Sequence, residues 1–203
     1  RVWLNGGALN VVTVQVDNGM SFCIGDGAQP ARLVLQPRGY GRFPNGLIVT
    51  NQGVLSGVGV VEAETTLFGT LNPGLDGVGA LTNRGACVFQ PGSEVVMELE
   101  TSQGPGIGWD HLTVTNGALS LGGTLKPVLK NNFRPHPLQS FTVITATDSL
   151  AGSFQNSPSG GRVAAYDTDG ETKVGSFRLT VSASSVILDD FSTRIPAGGT
   201  VIM

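Results

Sequence analysis

Acid–base chemistry on a glycan needs two carboxylates, or an imidazole held beside one, and this chain offers a short set of such groups. Glu62 and Glu64 flank Ala63, and Glu98 and Glu100 flank Leu99, so in an extended strand each pair projects from one face. That spacing lies near the separation a retaining glycosidase uses, which makes glycan hydrolysis the sharpest enzymatic reading. An outward, solvated strand face is the plainer one. It is preferred because nothing beside either pair positions a substrate.

The densest acidic segment is DTDGE, where Asp167, Asp169 and Glu171 surround Gly170. Its first residues fit the start of a calcium loop, but the downstream glutamate is out of register and no helical pattern flanks it. A hairpin turn is preferred, with Asp167, Asp169 and Glu171 kept as the alternative calcium ligands. Of the two histidines, His111 follows Trp109 and Asp110 at a strand entry, where alternation turns it outward if Leu112 turns inward. His136 lies between Pro135 and Pro137 in a loop, and neither histidine neighbours a nucleophile-elbow serine. Cys23 and Cys87 are far apart, with no CxxC pair and no adjacent His, which leaves zinc and thioredoxin chemistry without a basis. Two buried thiols are expected, one disulfide between them being the alternative. The glycine-rich GGTL and GPGIG lack the spacing of a phosphate loop. No catalytic residue, cofactor site or resident metal is therefore assigned, and the chain is expected not to be an enzyme.

The elements that would carry these residues are strands. With 30 Gly, 11 Pro and only 13% charged residues among 203, the composition is poor in helix formers. The net charge of −3 and the absence of a Lys/Arg cluster leave no electrostatic footprint for nucleic acid. No apolar run reaches the roughly 18 residues of a membrane helix. An opening at Arg1 reads as a processed or trimmed chain.

Residues 2–16 alternate apolar and polar side chains around a Gly-Gly break. The same grammar recurs at 31–36, 47–50, 58–62, 66–71, 85–90, 94–100, 111–114, 118–121, 124–130, 141–146, 162–166, 176–181 and 185–189. Between these runs lie NGG, NQG, NPG, TNRG, QPGS, TNG and GG, whose residues reach positive φ or fix it at a turn value. Short strands with sharp corners suit a chain that coils about one axis, each layer burying its apolar face on the next. The expected inward ladders are Leu47, Val49, Val54, Leu55, Val58, Val60, Leu67, Leu71 and Leu81, then Val96, Leu112, Val114, Leu119, Leu121 and Leu125.

Three phrases add a family likeness. GTLNPGLDGVGALTNRG at 69–85, with Asp76 where a Ser is usual, WDHLTVTNGALSLGGTLKPVL at 109–129 and FTVITATDSLAGSF at 141–154 follow one another in order. Together with GSEVVMELE at 92–100 they resemble the repeats of bacterial autotransporter passengers and related surface proteins, over residues 47–154. The resemblance implies a right-handed parallel β-helix exported to the cell surface. Residues before Leu47 match it poorly, and the membrane-spanning barrel that accompanies such passengers has no counterpart in this sequence.

The expectation is thus an all-β chain, a right-handed parallel β-solenoid over 1–154 with the strands of 1–46 as an N-terminal cap. Residues 155–203 form a C-terminal β cap and a strand-like tail. A β-sandwich or jelly roll is the alternative. The expected role is a non-enzymatic extracellular module for display, adhesion or self-association through its terminal strands, with a surface glycan or protein as ligand. A polysaccharide lyase or hydrolase, or a carbohydrate-binding module on the same scaffold, is the competing reading.

Overall fold

The computed structural model describes residues 1–157 and 161–195, and among these the chain is all-β with no helix. No helix long and apolar enough to cross a membrane is therefore present among them. The first three layers each place a three-residue strand before a long one. These are β1 (Val2–Leu4) and β2 (Gly7–Gln15), β3 (Phe22–Ile24) and β4 (Ala31–Arg42), and β5 (Leu47–Val49) and β6 (Gly53–Glu62). In the next three the long strand is divided. β7 (Thr65–Leu67) precedes β8 (Thr70–Pro73) and β9 (Ala80–Arg84), and β10 (Cys87–Phe89) precedes β11 (Glu94–Leu99) and β12 (His111–Thr115). β13 (Leu119–Leu121) precedes β14 (Thr124–Leu129) and β15 (Ser140–Ala146). The order ends with β16 (Leu150–Gly152), β17 (Arg162–Tyr166), β18 (Lys173–Val181) and β19 (Ser185–Ser192).

The seven short strands stack in chain order as one parallel sheet, and the other twelve form a second sheet. That second sheet divides at β6, whose first half pairs with β8 through Val54↔Thr70 and whose second half pairs with β9 through Gly59↔Leu81. Gly57, at φ 112°, makes the bend, and a Cβ there would lie 2.0 Å from the Leu35 carbonyl oxygen. No side chain fits that corner. Two parallel stacks leave it, β8–β11–β14–β17 and β9–β12–β15. β18 and β19 then run antiparallel between β17 and β15, so a meander rejoins the stacks and buries Phe177, Leu179, Val186 and Leu188.

Register makes the core. Val2, Phe22, Leu47, Thr65, Cys87, Leu119 and Leu150 occupy one column of the short-strand sheet. Leu9, Leu33, Leu55, Leu71, Val95 and Leu125 do the same in the second sheet. Burying each such Leu contributes on the order of 2 kcal/mol. Among the buried polar residues, Thr65 donates its hydroxyl to Asn83 Oδ1 at 2.7 Å. Asn83 Nδ2 donates in turn to the carbonyls of Gly85 at 2.9 Å and Ala63 at 3.3 Å, so both polar residues are satisfied at that corner.

Four of the expected inward residues are corrected. Val54, Val58, Val60 and Val96 are only half-buried, whereas Leu55, Val61, Val95, Met97 and Leu99 are buried. In runs such as VVMEL both parities carry an apolar residue, and a one-residue shift exchanges the faces. The expected single strand at 66–71 is two strands, because Phe68 and Gly69 turn the corner. A Cβ on Gly69 would come within 2.1 Å of the Thr50 carbonyl oxygen.

Cys23 and Cys87 are buried free thiols, as the plainer reading expected. β5 and β7 lie between their strands, a separation of about 14 Å at strand spacing, and a disulfide needs Cα atoms within roughly 7 Å. The disulfide alternative is excluded. The expected strand in the tail, 196–203, and residues 158–160 of the SPSGG break lie outside the described residues.

The two ends of the stack differ. At the N-terminal end β1 and β2 are edge strands, and Val2, Leu4, Leu9, Val11, Val14 and Val16 are only partly buried. Val12 is 59% exposed and Trp3 40%. An edge with apolar side chains and unpaired backbone groups is a surface on which another strand can add.

Candidate functional site

The residues WDHL at the start of β12 build the corner between the two stacks. Asp110 is fully buried, and its carboxylate accepts the backbone N–H of Gly79 at 2.7 Å and of Glu98 at 2.8 Å. It thereby ties the segment after β8 to β11 and to its own strand. Burial pushes this carboxyl up to about 8 against the pull of its two amide donors, with Glu98 raising it further and Lys130 lowering it. Trp109 Nε1 donates to the Thr142 carbonyl at 3.0 Å, and its ring meets Phe141 edge-on at 5.2 Å. His111 Nδ1 lies 2.9 Å from the same carbonyl, which can only accept, so Nδ1 carries the proton. Nε2 is then free to accept from the Thr145 hydroxyl at 3.3 Å.

Beside this corner the outward residues of four layers enclose a polar cleft of about 340 Å³. Arg32 enters it from β4, Asn72 from β8, Glu98 from β11 and Lys130 from just past β14, with Gly74, Asp76 and Gly77 forming a lip. The side chains face out because Leu33, Leu71, Leu99 and Leu129, one residue away in each strand, face in. Arg32 Nε donates to Ser56 Oγ at 2.9 Å, and its terminal nitrogens have no partner among the described residues. Lys130 Nζ lies 3.2 Å from Glu98 Oε1. Asn72 Oδ1 is buried and accepts no hydrogen bond. Asp76 sits exposed at φ 56°, the left-handed region, where a short polar side chain is tolerated. The cleft combines unused donors on Arg32 and Asn72 with both signs of charge, which suits a ligand rich in hydroxyls that also carries an anion.

The two members of each carboxylate pair read from the sequence are engaged differently. Glu62 ends β6 and accepts the Tyr40 hydroxyl at 2.6 Å and Arg42 Nε at 3.4 Å, while Glu64 is exposed past the strand end. The Tyr40 hydrogen bond first, and Arg42 with it, hold the Glu62 carboxyl below its ordinary range. Glu98 belongs to the cleft, whereas Glu100 lies past β11 and accepts from Asn131 Nδ2. DTDGE is the turn between β17 and β18. Asp169 accepts the N–H groups of Glu171 and Thr172 at 2.8 and 2.9 Å and the Thr172 hydroxyl at 2.6 Å, bonds that lower its carboxyl. Asp167 accepts the N–H of Thr168 and faces Arg134 at 3.8 Å. Asp167, Asp169 and Glu171 are not gathered as cation ligands, and no group of three metal-ligating side chains occurs among the described residues. His136 closes its own loop by accepting the Leu138 N–H on Nδ1 at 3.2 Å.

Searches against family models, curated proteins and solved structures find no match to this chain. Sequence reasoning missed the cleft because Arg32 and Lys130 lie almost a hundred positions apart and only the register unites them. The one local trace was Asp76, an acid where the resembled pattern carries Ser.

Proposed function

We propose that this chain is a right-handed parallel β-solenoid that works as a rigid, non-catalytic module outside a bacterial cell. Its residues 1–154 form the solenoid, and β17 to β19 cap it. The observation that carries the reading is the unbroken parallel register of the seven short strands. In such a stack each layer buries its neighbour's apolar side chains, so stiffness belongs to the stack and not to a single layer. Six steps at strand spacing give a core about 29 Å long. The side chains best suited to acid–base chemistry support the structural role, because they are engaged between layers. Asp110 holds two amides, His111 bridges Thr142 and Thr145, and Glu62 is held by Tyr40 and Arg42. The likeness of residues 47–154 to autotransporter passenger repeats supports placement at the cell surface.

Self-association in this reading runs through the N-terminal edge, two copies meeting head to head over β1 and β2. At the other end the meander covers the second sheet and leaves the three-residue β16 as the edge among the described residues, so the wider open end is the N-terminal one. Sedimentation velocity across a concentration series tests it. A concentration-dependent dimer that Val12→Lys abolishes while circular dichroism is unchanged is the expected result. Strictly monomeric behaviour overturns the self-association, and turnover of a glycan lost on one point substitution overturns the module reading.

A further inference from the structure

We infer that the cleft of Arg32, Asn72, Asp76, Glu98 and Lys130 binds an acidic sugar, a hexuronate residue of a glycan, independently of whether the module self-associates. Three observations converge on this ligand chemistry. The terminal nitrogens of Arg32 have no partner among the described residues while its Nε is anchored on Ser56 at 2.9 Å, so the guanidinium is held in place with its carboxylate-binding edge free. Asn72 lines the cleft, and its Nδ2 has no partner among the described residues, so the amide can donate to a ring hydroxyl. Lys130, neutralised by Glu98 at 3.2 Å, leaves the Glu98 carboxylate with lone pairs to accept from further hydroxyls, and Asp76 on the lip adds two more acceptor oxygens.

Size and lining narrow the choice. About 340 Å³ stands at the small end of ligand pockets, roughly 300 to 1,000 Å³, which suits one or two sugar rings. A peptide would need apolar anchor pockets, and the side chains that line this cleft are polar apart from the buried ring of Pro73. The ligand carboxylate pairs with Arg32, the ring hydroxyls donate to Asp76 and Glu98, and Asn72 Nδ2 donates to a ring hydroxyl. Asp110 acts as a positioning residue, since its two hydrogen bonds set Gly79, at the end of the lip loop, and Glu98, in the wall.

Isothermal titration of the full chain with tri-galacturonate tests the assignment, beside maltotriose, which lacks the carboxylates, tri-glutamate, which lacks the hydroxyls, and acetate. The expected result is one-site, salt-sensitive binding of the triuronate that exceeds all three controls. Arg32→Met weakens it about tenfold or more, the loss of a charge-assisted hydrogen bond, while circular dichroism at the titration temperature stays that of the folded chain. Asn72→Leu, which removes the amide donor and keeps the volume, weakens it by a similar factor. Absence of saturable triuronate binding overturns the proposal, as does affinity unchanged by both substitutions. Tri-glutamate bound as tightly as the triuronate also overturns it and assigns the cleft to acidic peptides.

Discussion

Replacing Asp110 by Asn changes one atom at the most enclosed ionisable group of the corner, and the effect should depend on pH in a specific direction. The wild-type carboxyl, pushed up to about 8 by burial, takes up its proton far more readily in the folded chain than in the unfolded one, where 3.8 is the ordinary value. The sign follows from proton counting. Below pH 3.8 both states are protonated and the group contributes no pH dependence. Between 3.8 and about 8 the unfolded chain releases the proton and the folded chain keeps it, so stability falls as pH rises. The limiting slope is about 1.4 kcal/mol per pH unit, which sets a ceiling on the order of 4 kcal/mol between pH 4.5 and 7.5. Asp110→Asn has no such titration. Its amide accepts only one of the two N–H groups of Gly79 and Glu98 and turns an NH₂ toward the other, at a fixed cost of about 1–3 kcal/mol. Urea unfolding of both proteins at pH 4.5, 6.0 and 7.5 measures the difference. Wild type should be the more stable at pH 4.5, and its advantage should shrink toward pH 7.5. An advantage that grows with pH would mean that the two amide donors outweigh burial and that the carboxyl is ionised inside the fold, which refutes the reasoning.

Three further outcomes follow from the packing. Asn83→Ala strands the Thr65 hydroxyl and the carbonyls of Ala63 and Gly85, and calorimetry should show a loss of about 1–3 kcal/mol; an unchanged melting temperature would contradict the interlock. Gly57→Ala places a Cβ against the Leu35 carbonyl oxygen at 2.0 Å, so denaturation midpoints should drop by more than the roughly 1 kcal/mol of an ordinary glycine substitution, whereas a stabilised variant would refute the bend. Cys87, whose thiol burial pushes up to about 12, should resist alkylation at pH 8 until the chain unfolds. Prompt labelling of Cys87 in native protein would show the short-strand sheet open there.

The strand grammar was legible where one parity is apolar and the other polar, as in His111–Thr115, where Leu112 and Val114 alternate with His111, Thr113 and Thr115. It failed where both parities are apolar, and Val54, Val60 and Val96 were assigned inward on hydrophobicity alone. Three strands escaped for other reasons. Phe22–Ile24 is three buried residues with no alternation, Leu150–Gly152 has one apolar residue followed by exposed Ala and Gly, and Ala80–Arg84 points a polar Asn83 inward. Inward Asn is readable only with its partner Thr65 in view. The site was less legible still. Asp110, beside a strand entry, has two backbone amides as partners, and these carry no sequence signal. Arg32, Asn72, Glu98 and Lys130 gain meaning only when four layers are in register.

The register itself is the claim on which the stack, the cleft and the proposed rod all rest. Thr13, Tyr40, Val60, Thr82 and Thr113 occupy one outward column of successive layers. The most direct test is electron spin resonance on chains labelled in pairs at Thr113 with Val60 and at Thr113 with Thr13. Two and four steps at strand spacing predict Cα separations of about 10 Å and about 19 Å, in the ratio of one to two. Two separations that are equal, or a longer one for Val60 than for Thr13, would contradict the stacked register.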